Sequence, residues 1–337
     1  MAVIMRNTSD KEHLCATHRN HWQALRLICL LVVAGSAGAD DFLAGERNRA
    51  PLSGLFLLNA VNVTADDSWR ADWTTISHSA RDQNADGAIL FDGETSVLAL
   101  TMNKRWSQRW STSATLPYVW HSGGALDRFI DNWHNAFGLP DGIRNDRPRN
   151  ALQFEFATPD DVVLARTQNT HGIGDMTLGA RRSLGQPDSA WSLLLGLKLP
   201  LGDAARLTGS GAMDATIALG WTNTTDDQRW QFTANAGVAL LGDADIKLQR
   251  QRSNTAFAQF SVVRRVSERL RLGARIYTHG APLAAGPDAV SATAVGLAVG
   301  GQLALGDEVA LNITVGEDLS VEVLPDVSFR IGLTMRH

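Results

Sequence analysis

The chain is poor in cysteine, and this absence narrows the class of protein. Its two cysteines, Cys15 and Cys29, both lie within the first 39 residues. That segment combines positive charge, an apolar run of about ten residues and small residues up to Ala39, a pattern typical of a secretory signal peptide. We therefore predict a signal peptide over residues 1–39 with cleavage near Ala39. The remaining chain then has no disulfide and no cysteine-bound metal.

Long apolar runs and strong charge are also missing. No segment after the leader approaches the roughly 20 apolar residues of a transmembrane helix. The chain has 31 Lys and Arg against 35 Asp and Glu, a net charge of −4, and the two signs are mixed. This pattern offers no surface for nucleic acid. A membrane protein of this composition would have to cross the bilayer with strands.

Alternation with a period of two runs through most of the sequence. In WSLLLGLKL, residues 191–199, Trp and Leu alternate with Ser, Gly and Lys. A soluble sandwich also alternates, but three features favour a membrane barrel. The polar face is rich in small residues, the segments have about the 9 to 11 residues of a tilted membrane strand, and short and long connections alternate. The pattern predicts an all-β, transmembrane, antiparallel up-and-down barrel.

About twelve strands follow from this pattern, with both termini in the periplasm. They are predicted near residues 68–79, 93–104, 109–121, 173–184, 189–200, 212–223, 229–241, 254–265, 269–279, 292–305, 308–316 and 326–336. ALQFEF, residues 151–156, would be a thirteenth strand and would move one terminus to the wrong side, so we assign it to the long third loop. Tryptophans beside the short turns fit an interfacial girdle: Trp106, Trp110, Trp191, Trp221 and Trp230.

Two segments do not fit the alternation. Residues 40–67 form an N-terminal periplasmic segment or one at the entrance of the barrel, and the sequence leaves open an extension, a piece tucked into the barrel or an extra strand. GGALDRFIDNWHNAFGLP, residues 123–140, has the 3.6-residue period of one short amphipathic helix in the third extracellular loop. It can fill the mouth, act as a lid, or lie on the outer leaflet. Its candidate residues are Leu126, Asp127, Phe129, Ile130, Trp133, His134 and Phe137.

Three blocks of sequence resemble a known family. FDGET (91–95), LPYVWHSGGALDRFIDNWHNAFGLPDGIRND (116–146) and GIGDMTLGARR (172–182) are similar to Gram-negative outer-membrane proteins grouped as domain of unknown function 3187. The resemblance implies a β-barrel of the outer membrane and implies no established activity. GIGDMTLGARRSL and LKLPLGD are also similar to barrels proposed to pass hydrophobic aromatic compounds, although this motif is mostly strand-and-turn pattern.

Chemistry-bearing clusters are sparse. Asp82, Asn84 and Asp86 match the first half of a calcium loop but lack the bidentate acid at its end, so extracellular calcium is a weak candidate and we expect no other cofactor. Histidines at the rim could bind a transition metal, although rim positions are simply polar. His78, His121, His171 and His279 are predicted at the extracellular ends of strands, and His134 on the loop helix. The run Ser77, His78, Ser79 does not form a catalytic triad. We therefore expect no enzyme.

Charges in the inward register are the better functional clue. They are Arg70, Asp72, Asp175, Arg181, Lys198, Asp214, Arg271, Arg275 and Arg330. Mixed signs suit networks that fill a narrow lumen. The sequence favours a passive channel or transporter for small organic solutes, hydrophobic ones among the candidates, with loop 122–172 as lid or constriction. The alternatives are a lipid-acting enzyme and a structural barrel. Expected partners are outer-membrane lipids, periplasmic chaperones and the barrel-assembly machinery, with no nucleic acid and no readable oligomeric state.

Overall fold

Alternating segments of the chain form the wall of a barrel. The computed structural model describes residues 42–130, 132, 148–185, 190–246, 248, 250–320, 323 and 325–336. The predicted signal peptide lies outside the described residues, as do Trp133, His134 and Phe137 of the predicted loop helix. Among the described helices, none is long and apolar enough to cross a membrane.

Twelve strands make up the wall. They are β1 (Ser68–Asn84), β2 (Gly87–Arg105), β3 (Trp110–Ser122), β7 (Met176–Ser183), β8 (Trp191–Leu199), β9 (Asp214–Thr224), β10 (Trp230–Leu240), β11 (Asn254–Arg265), β12 (Leu270–His279), β13 (Ala294–Ala304), β14 (Val309–Asp318) and β15 (Val327–Arg336). Each pairs antiparallel with its neighbours, and the ring closes because β1 pairs with both β2 and β15. The predicted antiparallel barrel of about twelve strands is therefore confirmed.

Successive side chains of each strand face opposite sides of the wall. On β8, Leu195 and Leu197 point outward and are 37% and 38% exposed, while Ser192 and Lys198 face the lumen and are 5% and 4% exposed. The same outward exposure recurs around the ring in Leu100, Ile217, Leu219, Leu272, Ile276, Ile313, Ile331 and Leu333. A continuous apolar outer face of this kind matches a barrel surrounded by hydrocarbon.

The two ends of the barrel differ in their connections. One end, which we call the turn end, has short turns between strands, and exposed Trp106, Trp110, Trp191 and Trp230 lie beside them. The other, the long-loop end, carries the longer connections. These contain 3₁₀ turns or a short helix in places, for example Ala204–Arg206 and Asp288–Ser291.

The predicted connection between the first two strands, residues 80–92, is wrong, because all of it except the turn Ala85–Asp86 continues as strand. β1 and β2 extend past the barrel rim as a hairpin whose turn is Ala85–Asp86. Asn84 Oδ1 accepts a hydrogen bond from the Asp86 amide at 2.9 Å, and Gly87 has a φ of 152°. Asn and Gly at these places are turn residues, so the NADG sequence closes a hairpin and not a loop.

The third long connection also contains strands. β4 (Gln153–Ala157) pairs with the upper part of β2, β5 (Val162–Arg166) pairs with β4, and β6 (Thr170–Ile173) pairs with the upper part of β3. The predicted strand 173–184 is therefore split between β6 and β7 at Gly174–Asp175. Most of ALQFEF does form a strand, β4. This strand lies outside the ring of twelve, as expected for a segment of the third loop.

Candidate functional site

Residues 42–67, which we call the plug, lie inside the barrel. Asn48 Nδ2 is 3.1 Å from His279 Nε2 at the long-loop end of β12. The Thr64 amide donates to Asn103 Oδ1 at 3.2 Å near the turn end of β2. Residues 48–64 of the plug thus run through the lumen from the long-loop end to the turn end before β1 begins. A twelve-stranded barrel encloses more space than its own side chains fill, and the plug occupies part of that space.

Lys198 binds the plug near the long-loop end of the barrel. Its Nζ lies 3.1 Å from Asp175 Oδ2 and 3.0 Å from Asp214 Oδ2, and it donates to the Leu55 carbonyl at 2.6 Å. Asp214 Oδ2 also accepts from the Leu57 amide at 2.8 Å. The three charged side chains are at most 6% exposed. Buried charges are tolerated when they are paired and hydrogen-bonded, and here the pairing includes the backbone of the plug.

Three arginines of the wall bind the beginning of the plug. Arg70 and Arg330 both donate to the Phe42 carbonyl, at 3.1 and 2.9 Å, and Arg275 donates to the Leu43 carbonyl at 2.8 Å. All three are at most 5% exposed. Charge-assisted hydrogen bonds are stronger than neutral ones. Side chains from β1, its neighbour β15 and the more distant β12 therefore bind the same turn of the plug.

Close approach of plug and wall depends on glycine at two places. At Gly45 a Cβ would lie 1.7 Å from Arg330 Nη1, whose Nε pairs with Glu46 at 3.1 Å. At Gly196 on β8 a Cβ would lie 2.7 Å from Val61 Cγ1. Small residues on the inner face of the wall therefore leave room for a packed segment and not only for water.

An apolar cluster, which we call the seal, closes the long-loop end. It joins the plug to β2 and to the loops, and its members include Leu52, Leu55, Phe56, Leu58, Phe91, Phe154, Phe156, Leu164, Leu207, Leu241 and Leu283. Phe154 lies at its centre, fully buried, with its ring 5.3 Å from His78, 5.7 Å from His121 and 6.1 Å from Phe91, all edge-on. Through β4, the third long connection therefore forms part of the seal at the long-loop end.

The loop helix begins beside this seal. Residues 127–130 and 132 are helical. Glu94 Oε1 accepts from the Ala125 amide at 2.8 Å and from the Leu126 amide at 2.5 Å, so it satisfies donors at the helix N-terminus. Ile130 is 1% exposed. Phe129 is 49% exposed and its ring lies 5.6 Å from Phe329 on the outer face of β15. Asp127 accepts from the Asn150 amide.

Cavities remain between the plug and the wall. Two of them, of about 90 and 50 Å³, share Arg47, Arg49, Pro117 and Thr177 in their linings. A third, of about 90 Å³, opens near the turn end and is lined by polar side chains such as Gln231, Asn235 and Gln259. Volumes of this size hold several water molecules each. The described lumen is therefore filled by chain and still has room for water beside the plug.

The nine charges assigned to the lumen from the sequence all lie on the inner side of the wall. Eight of them take part in the contacts of the plug or line the cavities beside it, namely Arg70, Asp72, Asp175, Arg181, Lys198, Asp214, Arg275 and Arg330. Arg271 donates to Gln302 at 3.0 Å and to Gln231 at 2.7 Å, and Arg181 lines the cavity at the turn end. The structure brings eight charges to the plug or to the cavities beside it and places Arg271 among polar neighbours.

The candidate calcium residues lie on the hairpin at the rim. Asp82 Oδ2 accepts from the Ala289 amide at 3.3 Å, and Asn84 donates to the Gly286 carbonyl at 2.8 Å. Asp86 pairs with Arg250 at 3.3 Å. Among the described residues no group of three or more His, Cys, Asp or Glu side chains could hold a metal ion. Calcium at these residues stays a prediction.

The histidines also have local partners. Thr95 Oγ1 lies 2.8 Å from His78 Nε2 and 2.9 Å from His121 Nδ1, beneath Phe154. His171 lies 2.7 Å from the Tyr118 hydroxyl on the outer face, apart from the others. His134 lies outside the described residues. The structure brings two of the rim histidines together through one threonine.

Sequence reasoning missed the cations of the plug. Arg47 and Arg49 face the cavities, and Glu46 pairs with Arg330. Their signal was present in the adjacent stretch PLSGLFLLNAVNV, which is apolar without alternation. Such a segment has no solvent-facing side and therefore indicates burial on all sides, but the pattern gives no position within the barrel.

The architecture is that of the antiparallel β-barrels of outer membranes, with a segment of the chain inside the lumen. It is similar to the COG4313 outer membrane channel from Pseudomonas putida F1, at a TM-score of 0.53 and 12% identity over 84% of this chain and 98% of that one. Weaker similarities link it to the NanC porin (0.45, 11%, 80% and 100%) and to the P. putida toluene transporter TodX (0.44, 12%, 90% and 96%). At these identities the likeness shows the fold alone.

The family model for proteins of unknown function named DUF3187 matches residues 49–337. The chain belongs to this family. No curated protein sequence matches it.

Proposed function

We propose that the protein is a passive channel or transporter of the outer membrane for small organic solutes. The plug forms the constriction, and loop 122–172 contributes to the lid through Phe154 and Phe156. In this orientation the turn end faces the periplasm and the long loops face the outside. Outer-membrane lipids surround the apolar outer face. Periplasmic chaperones and the barrel-assembly machinery are the partners during insertion, after cleavage of the signal peptide.

One observation carries this proposal: the lumen is filled by a separate segment of chain with polar cavities beside it. A barrel that served only as a scaffold would be stable with wall side chains filling a narrower interior, as in eight-stranded barrels. Here the plug is joined to the wall by hydrogen bonds and ion pairs, at Lys198 and at the three arginines. These contacts are separate from the hydrogen bonds between strands, so a movement of the plug would leave the wall intact.

Planar-bilayer recording tests the proposal. The mature protein, residues 40–337, is compared with a variant that lacks residues 42–64 and with Ile331→Ala on the outer face as a matched control. We expect small or intermittent conductance from the mature protein and from the control. Deletion should raise the single-channel conductance by about tenfold, because a twelve-stranded lumen without its filling is wider than a filled one.

Folding of each variant is checked by the gel mobility of unheated protein. If the folded deletion variant conducts no better than lipid alone, the channel proposal is wrong and a structural barrel is favoured. Release of fatty acid from phospholipid micelles by the mature protein would instead favour a lipid-acting enzyme, in which case His78 is the first residue to replace.

A further inference from the structure

Two cations of the plug differ from all the lumen cations described above. Arg70, Arg275, Arg330 and Lys198 each donate to a plug carbonyl. Within the part of the chain that the structure describes, Arg47 and Arg49 make no hydrogen bond or ion pair. Both line the two neighbouring cavities between the plug and the wall that share part of their lining. They are therefore cations presented to an enclosed space.

The nearby carboxylates are already engaged. Asp175 lies close enough to attract Arg47 electrostatically, and Glu46 and Asp72 lie close enough to attract Arg49. However, Asp175 pairs with Lys198, Asp72 with Arg70, and Glu46 with Arg330. A guanidinium removed from bulk water without a bound acceptor is costly. An anion that enters the cavity would reduce this cost.

The cavity lining also selects the kind of anion. Guanidinium groups present a planar set of donors that matches a carboxylate in bidentate fashion. The rest of the lining combines threonine hydroxyls and apolar surface with charges that are already paired to one another, namely Asp72 with Arg70 and Asp175 with Lys198. The apolar surface comes from Leu57, Val97, Pro117 and Val119. Sites that combine apolar walls with a few placed polar groups are typical of small organic ligands.

We propose that Arg47 and Arg49 form a binding site for a small organic carboxylate inside the lumen, and that this class of solute is what the barrel conducts. The second half rests on the proposed channel function, whereas the binding site does not. The carboxylate binds the two guanidinium groups, and its aliphatic part contacts the wall at Val97, Pro117 and Val119.

A binding experiment tests the site alone. The mature protein in detergent is heated with sodium butyrate, with sodium chloride or sodium sulfate at equal ionic strength, or with butyramide, the uncharged isostere. We expect butyrate alone to raise the unfolding temperature. The shift should be lost in Arg47→Gln/Arg49→Gln. It should persist in Arg229→Gln/Arg269→Gln, which removes two exposed cations at the turn end.

A conductance experiment tests the link to transport. Reversal potentials are measured in a salt gradient for the mature protein and for both double variants. We expect a preference for anions that falls in Arg47→Gln/Arg49→Gln and remains in Arg229→Gln/Arg269→Gln. If the glutamine variant does not fold, Arg47→Lys/Arg49→Lys replaces it, with the charge kept and the bidentate geometry lost, so that the butyrate shift should fall.

The outcomes separate the two proposals. If nothing conducts, the channel proposal is wrong, and the butyrate shift still decides on the site. If the glutamine variant, or the lysine variant in its place, keeps the full butyrate shift, the site is wrong. An equal shift with sulfate or chloride contradicts the organic carboxylate and leaves an inorganic anion. Butyrate binding with no change of reversal potential contradicts the role in conduction.

Discussion

The two ends of the lumen are closed by different physical means. At the long-loop end, plug and loops bury an apolar cluster around Phe154, and Lys198 joins two carboxylates directly below it. At the turn end, Arg271 lies between Gln231 and Gln302, and a cavity separates plug and wall. Apolar burial and buried ion pairs resist opening, whereas hydrated polar contacts exchange readily with water. If the barrel conducts as proposed, we therefore expect the barrier to passage at the long-loop end.

Replacing one cation at each end gives the largest expected contrast. Lys198→Met leaves Asp175 and Asp214 buried without their counter-ion, and removal of one partner from a buried ion pair costs about 3–5 kcal/mol. Arg271→Met removes hydrogen bonds to two neutral amides beside a wet cavity, so it should cost about 1 kcal/mol. The free energies of unfolding are measured by urea titration in micelles. Equal losses would contradict the difference between the two ends.

A large aromatic residue in the seal should have the next largest effect. Phe154→Ala opens a cavity in a fully buried cluster, and such a change costs about 3 kcal/mol. Phe260→Ala, on the outer face at 43% exposure, is the matched control and should cost less because lipid or detergent fills the space. We also expect more frequent opening in bilayer recordings for Phe154→Ala. An unchanged frequency of opening would show that the seal is not part of the barrier to passage.

The wall of this barrel could be read from the sequence because its period of two assigns each residue to a face. Leu195, Leu197 and Ile217 point outward for this reason, and the twelve-stranded count follows from the same pattern. Loop lengths were less reliable, since residues 80–92 have polar composition but pair as a hairpin. Composition alone does not report backbone pairing across a rim.

The plug could not be placed for a different reason. A segment inside a barrel contacts the wall through backbone carbonyls and amides, as at Phe42, Leu43, Leu55 and Leu57. Backbone groups are the same in every residue, so sequence carries little information about these partners. Arg47 and Arg49 were missed with it, because the meaning of a charge depends on what surrounds it.

A larger side chain on the inner face of the wall tests how closely the plug packs against β8. Gly196→Val places methyl groups where Val61 packs, and overpacking of this kind costs about 2 kcal/mol. Gly306→Val is the matched control, since a Cβ at Gly306 meets nothing within 4 Å. Free energies of unfolding are measured by urea titration in micelles. The rate at which a protease cleaves the plug from the turn end is compared between the two variants. If Gly196→Val matches its control, the plug does not pack against β8.

The smallest effect is expected at the loop helix, where it tests whether that helix belongs to the barrier. Glu94→Ala removes the acceptor for the Ala125 and Leu126 amides, and loss of a helix cap costs about 1 kcal/mol locally. Hydrogen exchange at these two amides should become faster. Conductance should stay unchanged, because the seal is centred on Phe154 while Phe129 contacts the outer face at Phe329. A rise in conductance with Glu94→Ala, without loss of barrel stability, would extend the barrier to the loop helix and make the helix part of the lid.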